Sequence, residues 1–282
     1  MRYKTGEFKG YDGTRLFYRS WLPEGEIKAV ILMIHGIAEH SGRYEQLARG
    51  FANAGYGFYC HDLRGHGKSA GKRCNIKRFS EFINDLNLFL ELVKKEQKGK
   101  IVFLMGHSMG GTIAATFAST NQDNLAGLVL SGTSTNMNVA VSPLLVACSK
   151  IMSTLFPNMG TKRIDASAIS RDQKIVEAYV HDPLVFREKI RARIGTELLQ
   201  TMRRLPSQVP AINKPILLMH GTADRLSDPG GCRILFERLG STDKTLKLYE
   251  GFYHEVFNEP GCEVVLKNIL DWLEAHLTKR KN

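Results

Sequence analysis

The sequence predicts an α/β fold: a mostly parallel central sheet with helices on both faces and one helical cap insertion. Three observations carry that prediction. Short apolar runs of strand length alternate with segments whose apolar residues recur at helical spacing. The run at residues 29–34 is apolar throughout, as a strand covered on both faces must be. The alternation stops at about residues 135–208 and then resumes, which marks an insertion between two core strands.

In chain order, residues 15–21 read as an extended piece and 29–34 as the first buried strand. Residues 44–54 suit a helix, and 57–62 a short strand. Phe79, Phe82, Ile83, Leu86, Leu90 and Val93 lie at helical spacing. The strand 101–105 follows, then a helix of small residues at 112–119 and a strand at 125–130. Beyond the insertion, 215–219 and 245–249 read as strands separated by a helix near 233–239. Leu266, Ile269, Leu273 and Leu277 mark a closing helix. The expected organisation is therefore a core in two parts, residues 1–134 and 209–282, with a cap at 135–208. The cap begins with an apolar stretch, 139–156, that carries a single charge, Lys150. Such an insertion sits over the carboxyl edge of the sheet, where α/β folds place their sites.

At 282 residues, with 43% hydrophobic and 24% charged residues, the chain can bury a full core, and this composition excludes a disordered or coiled-coil architecture. No apolar run approaches the ~20 residues of a membrane span, and residues 1–13 are too polar for a signal peptide. A cytoplasmic location, peripheral to membranes at most, is the expectation. Five cysteines, an odd set with no CxxC pair, point to reduced thiols. The net charge of +11 is scattered over core and cap. With no recognised nucleic-acid motif beside it, it implies no nucleic-acid partner and instead suits contact with an anionic membrane surface. The oligomeric state is left open.

The strongest chemical signal is the GHSMG run at 106–110, directly after a predicted strand and directly before a helix. A strand that turns sharply into a helix leaves the Ser108 hydroxyl projecting at the sheet edge, with helix N–H groups beside it. A serine hydroxyl needs a base, and the base an orienting acid, in the chain order serine, acid, histidine. Asp224 and His254 each follow a predicted strand, in that order. The loop after residues 29–34 supplies Ile37, whose N–H would join that of Met109 in an oxyanion hole. The pairs His35/His40 and His61/His66 lack HExxH spacing, so no metal is expected. The glycine-rich run 62–69 lacks GxxxxGK[ST], so no phosphate site and no cofactor are expected.

These motifs together resemble the monoacylglycerol lipase and lysophospholipase group of the α/β-hydrolase fold. The resemblance rests on HGIAEHSGRY at 35–44, DLRGHGKS at 62–69, GHSMGG at 106–111, HGTADRL at 220–226 and YEGFYH at 249–254. In the cap it extends to IDASAISR at 164–171 and to Tyr179, shortly before DPL at 182–184. It implies that Ser108, Asp224 and His254 form a triad and that Ile37 and Met109 are the oxyanion donors. It also implies that Glu39, Arg43 and Tyr179 lie near the glycerol end of a single-chain lipid ester. Hydrolysis of a monoacylglycerol is the implied activity; a lysophospholipase, a broad carboxylesterase and a non-catalytic lipid-binding protein are the alternatives. Ile37 and Ala38 depart from the small residue and glycine typical of the group, which implies a narrower pocket there. Phe257 stands where the mammalian enzymes carry a second histidine.

Overall fold

In the computed structural model, which describes residues 1–135 and 152–278, eight strands form one sheet. They are β1 (Arg2–Lys9), β2 (Arg15–Leu22), β3 (Val30–Ile34), β4 (Gly57–His61), β5 (Val102–His107), β6 (Gly127–Ser131), β7 (Ile216–Gly221) and β8 (Lys244–Tyr249). Their spatial order is β1-β2-β4-β3-β5-β6-β7-β8. From β4 onward every neighbouring pair is parallel, and the two N-terminal strands are antiparallel additions at one edge. The register aligns Ile34 with both His61 and Gly106, His107 with Ser131, and Gly221 with Tyr249. The loops that leave β3, β5, β7 and β8 consequently open at one edge of the sheet.

Side chains alternate across a strand, and here the alternation divides the core in two. Leu32, Ile34, Leu104, Leu128 and Leu218 face one side. There they pack with α2 (Ser80–Glu96) through Phe82 and Phe89, and with α3 (Met109–Asn121) through Ile113 and Phe117. Ile31, Met33, Phe103, Val129 and Met219 face the other side. They meet Phe51 of α1 (Glu45–Asn53) and Ile269 and Trp272 of the closing helix α7 (Glu263–Thr278).

Between β6 and β7 the described residues contain α4 (Gln173–His181) and α5 (Ala192–Gln208), and they contribute no strand to the sheet. One isolated bridge, Gly160 to Arg191, is the sole β pairing among them. Helix α5 lays Ile194, Leu198, Met202 and Leu205 into the core cluster that holds α3. Of the apolar stretch 139–156, residues 139–151 lie outside the described residues, as does Cys148. Cys60, Cys74, Cys232 and Cys262 are free thiols. No helix among the described residues is long and apolar enough to cross a membrane.

Two boundaries differ from the sequence reading. Strand β1 occupies residues that carry no buried alternation, because it hydrogen-bonds only to β2 at the sheet edge and leaves most side chains in solvent. Helix α6 (Pro229–Arg238) starts earlier than its apolar residues suggest. Asp228 caps it by accepting from the Gly230 N–H at 2.8 Å, and Pro229 occupies its first turn.

Candidate active site

Ser108 is the only residue between β5 and α3. Its backbone lies at φ 54° and ψ −122°, a left-handed conformation that a side chain adopts only under constraint. The constraint is backbone crowding. A Cβ on Gly106 would lie 2.4 Å from the Gly110 carbonyl oxygen, and one on Gly110 would lie 2.1 Å from that of Ile34. Only glycine lets the strand turn this tightly into the helix. The Ser108 N–H donates to the Ser131 carbonyl at 2.8 Å, and the Ser108 carbonyl accepts from Gly111 and Thr112. The N–H groups of Ile37 and Met109 find no acceptor among the described residues.

Asp224 and His254 come from the loops after β7 and β8. The loops are tied together by Thr222 N–H to the Tyr249 carbonyl at 2.9 Å and by Ala223 N–H to the Phe252 carbonyl at 3.0 Å. His254 Nδ1 lies 2.7 Å from Asp224 Oδ2, while Asp224 Oδ1 accepts from the N–H groups of Leu226 and Ser227 at 2.7 and 3.0 Å. Burial opposes the charge on Asp224, but the imidazoles of His254 and His220 outweigh it and hold the carboxyl well below its usual range. Burial likewise opposes charge on His254, yet Asp224, Glu255 and Glu39 together raise its pKa. A histidine so placed is a competent base, oriented and supported by its acid.

Ser108 and His254 line one cavity of about 350 Å³, together with Ile37, Met109, Glu39, Arg43 and Tyr179. Asp224 lies behind His254. Ser108, Asp224, His254, Ile37, Met109, Glu39, Arg43 and Tyr179 are thus gathered at one place. The cavity wall includes a buried ion cluster. Arg43 Nη1 donates to Glu39 Oε2 at 2.8 Å and to Glu255 Oε1 at 2.6 Å, and Nη2 donates to Glu255 Oε2 at 2.8 Å. The guanidinium sits 4.8 Å from the centre of the Tyr179 ring. Burial works against ionising Glu39, but Arg43, His107 and His35 bring its pKa down to about 2. Glu39 Oε1 also accepts from the Gly36 N–H at 2.6 Å and from the Tyr44 hydroxyl at 2.8 Å, which fixes the loop carrying Ile37.

Sequence reasoning did not find four residues of this site. Glu255 directly follows His254 and pairs with Arg43 across 212 positions. His107 precedes Ser108, and its ring lies 4.8 Å from that of His254; burial, then the charge on His254, lowers its pKa to about 4. Ser227 Oγ lies 2.9 Å from Asp224 Oδ2 and 3.0 Å from the Gly132 carbonyl. His220 Nε2 lies 3.0 Å from Asp224 Oδ2. For His220 a signal was available in its i,i+4 spacing to Asp224 at a strand end. Glu255 offered none beyond adjacency to His254.

A family profile described as serine aminopeptidase, S33, matches residues 25–261. Over 270 residues, and 96% of each chain, the protein is 38% identical to a monoacylglycerol lipase of Mycolicibacterium smegmatis. It is 39% identical to the monoglyceride lipase of Homo sapiens, covering 88% of this chain and 82% of that one. Among solved structures, the monoacylglycerol lipase of Paleococcus ferrophilus superposes with a TM-score of 0.81 at 32% identity, covering 98% of this chain and all of that one.

Proposed function

As a member of the serine aminopeptidase S33 family and, within it, of the monoacylglycerol lipase group of α/β-hydrolases, the chain is a serine hydrolase acting on monoacylglycerol, and we propose that Ser108, His254 and Asp224 carry out the reaction. The observation that carries this reading is the strained Ser108 sharing a cavity with His254, whose far ring nitrogen is held by Asp224.

The Ser108 oxygen attacks the ester carbonyl carbon while His254 Nε2 takes its proton. The carbonyl oxygen becomes an oxyanion that accepts from the free N–H groups of Ile37 and Met109. The bond to the glycerol oxygen then breaks, and His254 returns the proton to that oxygen. An acyl ester on Ser108 remains. Water, deprotonated by His254, attacks its carbonyl carbon, the bond to the Ser108 oxygen breaks, and His254 returns the proton to that oxygen as the fatty acid leaves. Asp224 stays ionised throughout and supports the imidazolium that forms twice in each cycle. No cofactor has a part in these steps.

The described residues 152–208 act as the cap over this chemistry. Ile190, Leu198, Leu199 and Met202 give the cavity an apolar wall suited to an acyl chain. At the alcohol end, Arg43 is committed to two carboxylates, which leaves the Glu39–Arg43–Glu255 cluster with a net negative charge. That charge suits the hydroxyls of glycerol and opposes a phosphate, so it favours monoacylglycerol over a lysophospholipid. The cap also exposes Met152, Leu155, Phe156 and Met159, followed by the exposed Lys162 and Arg163. An apolar patch beside cations supports peripheral contact with an anionic bilayer, from which a single-chain lipid is drawn.

Release of oleate from 1-monooleoylglycerol and from 1-oleoyl-lysophosphatidylcholine, compared at matched concentrations, tests this reading. The monoacylglycerol is expected to be preferred by at least about tenfold. Equal or reversed rates would contradict the role given to the Arg43 cluster.

A further inference from the structure

The proton transfers above use one imidazole on Asp224, yet the carboxylate holds two. His220, near the end of β7, is fully buried. Its Nε2 lies 3.0 Å from Asp224 Oδ2, the same oxygen that His254 Nδ1 approaches at 2.7 Å. Contact with a carboxylate requires that Nε2 carry a proton. Among the described residues its Nδ1 meets no partner of hydrogen-bond geometry, and the thiol of Cys232 on α6 is the group nearest to supplying one.

A carboxylate shared between two imidazoles supports a positive charge on either one less than a carboxylate devoted to one. We propose that His220 is a positioning residue for the hydrolysis: by sharing Oδ2 of Asp224, it keeps His254 neutral, and able to accept the Ser108 proton, at lower pH than a single-imidazole arrangement would. The inference rests on the triad assignment made above.

The surrounding groups are consistent with that role. Asp224, the Ser227 hydroxyl and the Cys232 thiol face His220. Burial opposes its charge, but Asp224 and then Cys232 raise its pKa to about 9. His254 faces Asp224, Glu255 and Glu39, all of which favour its protonated form, and His107, whose ring packs against it. Protonated, His220 is the group placed to offset those three carboxylates through Asp224.

The test is the pH dependence of kcat/KM on a short soluble ester for the parent protein, His220→Gln and Ser108→Ala. Glutamine keeps an N–H donor for Asp224 but never carries charge. In His220→Gln the acid limb is expected to move up by about one pH unit. An unmoved limb, with Ser108→Ala inactive, overturns this inference alone. Hydrolysis by Ser108→Ala at the parent rate overturns the nucleophile assignment and this inference with it. If His220→Gln does not fold, nitrogen NMR of the parent protein at pH 7 decides: both ring nitrogens of His220 protonated supports the proposal, and a bare Nδ1 overturns it.

Discussion

Two buried charge clusters border the same cavity with opposite compositions. Around Asp224, one carboxylate lies between the imidazoles of His220 and His254; around Arg43, one guanidinium lies between the carboxylates of Glu39 and Glu255. An imidazole exchanges its proton near neutral pH, whereas a guanidinium does not. The first cluster can therefore move a proton. The second is a wall whose guanidinium keeps its charge, and through Glu39 it also holds the Gly36 N–H of the oxyanion loop. Substitutions in the first should cost rate, and in the second stability.

The largest effect should come from the first cluster and the serine beside it. Ser108→Ala, His254→Ala and Asp224→Asn are each expected to lower kcat/KM by roughly 10⁴-fold. Melting temperatures measured alongside should move little for Ser108→Ala. A comparable loss of stability would erase the contrast between the clusters.

Arg43→Met probes the second cluster, since it leaves Glu39 and Glu255 buried without their cation. A cost of about 3–5 kcal/mol is expected in urea unfolding, because removing one partner strands the others in low dielectric. Adding Glu255→Gln to Arg43→Met should recover part of that loss. If the double variant is no more stable than Arg43→Met, the two residues are not coupled.

Imidazoles with no carboxylate at hydrogen-bonding distance set a baseline for both. Burial, reinforced by His35, lowers the pKa of both His61 and His66 from 6.5 to about 3. Below pH 6.5 the unfolded chain takes up protons that the folded chain refuses, so stability is present above that pH and is lost as pH falls toward 3. Each imidazole contributes a slope of up to about 1.4 kcal/mol per pH unit in that window. His61→Leu should flatten the acid side of the urea midpoint against pH, and an unchanged slope would mean that His61 is protonated in the native state.

The smallest effect is expected at the exposed apolar residues of the cap. Leu155 and Phe156 are 65% and 55% exposed. Their joint replacement by serine should weaken binding to anionic vesicles and lower activity on long-chain monoacylglycerol a few-fold, while hydrolysis of a short soluble ester stays near the parent rate. Equal losses on both substrates would place the damage in the cavity instead of at the bilayer.

The difference between the clusters also explains what the sequence reveals. Strands β2 to β7 are legible because each is buried enough to force a mostly apolar run, and β8 because Leu246 and Leu248 alternate with polar residues; Ser108, Asp224 and His254 are legible because each follows such a strand. Strand β1 is not legible: an edge strand in water imposes no alternation. Glu39, Arg43 and Tyr179 could be placed only through resemblance, since a carboxylate and a guanidinium four residues apart look like any exposed helical pair. Their burial depends on Glu255, which reads as a loop residue until the β8 loop folds across to Arg43. Long-range pairing of charges leaves no periodicity in the sequence.

The central claim is that Ser108 is the nucleophile, activated by His254. Its most direct test is reaction with a fluorophosphonate, followed by intact mass and peptide mapping. The account predicts one adduct per chain, on the peptide containing Ser108, absent in Ser108→Ala and formed far more slowly in His254→Ala. An adduct on another residue, or equal labelling of Ser108→Ala, would contradict it.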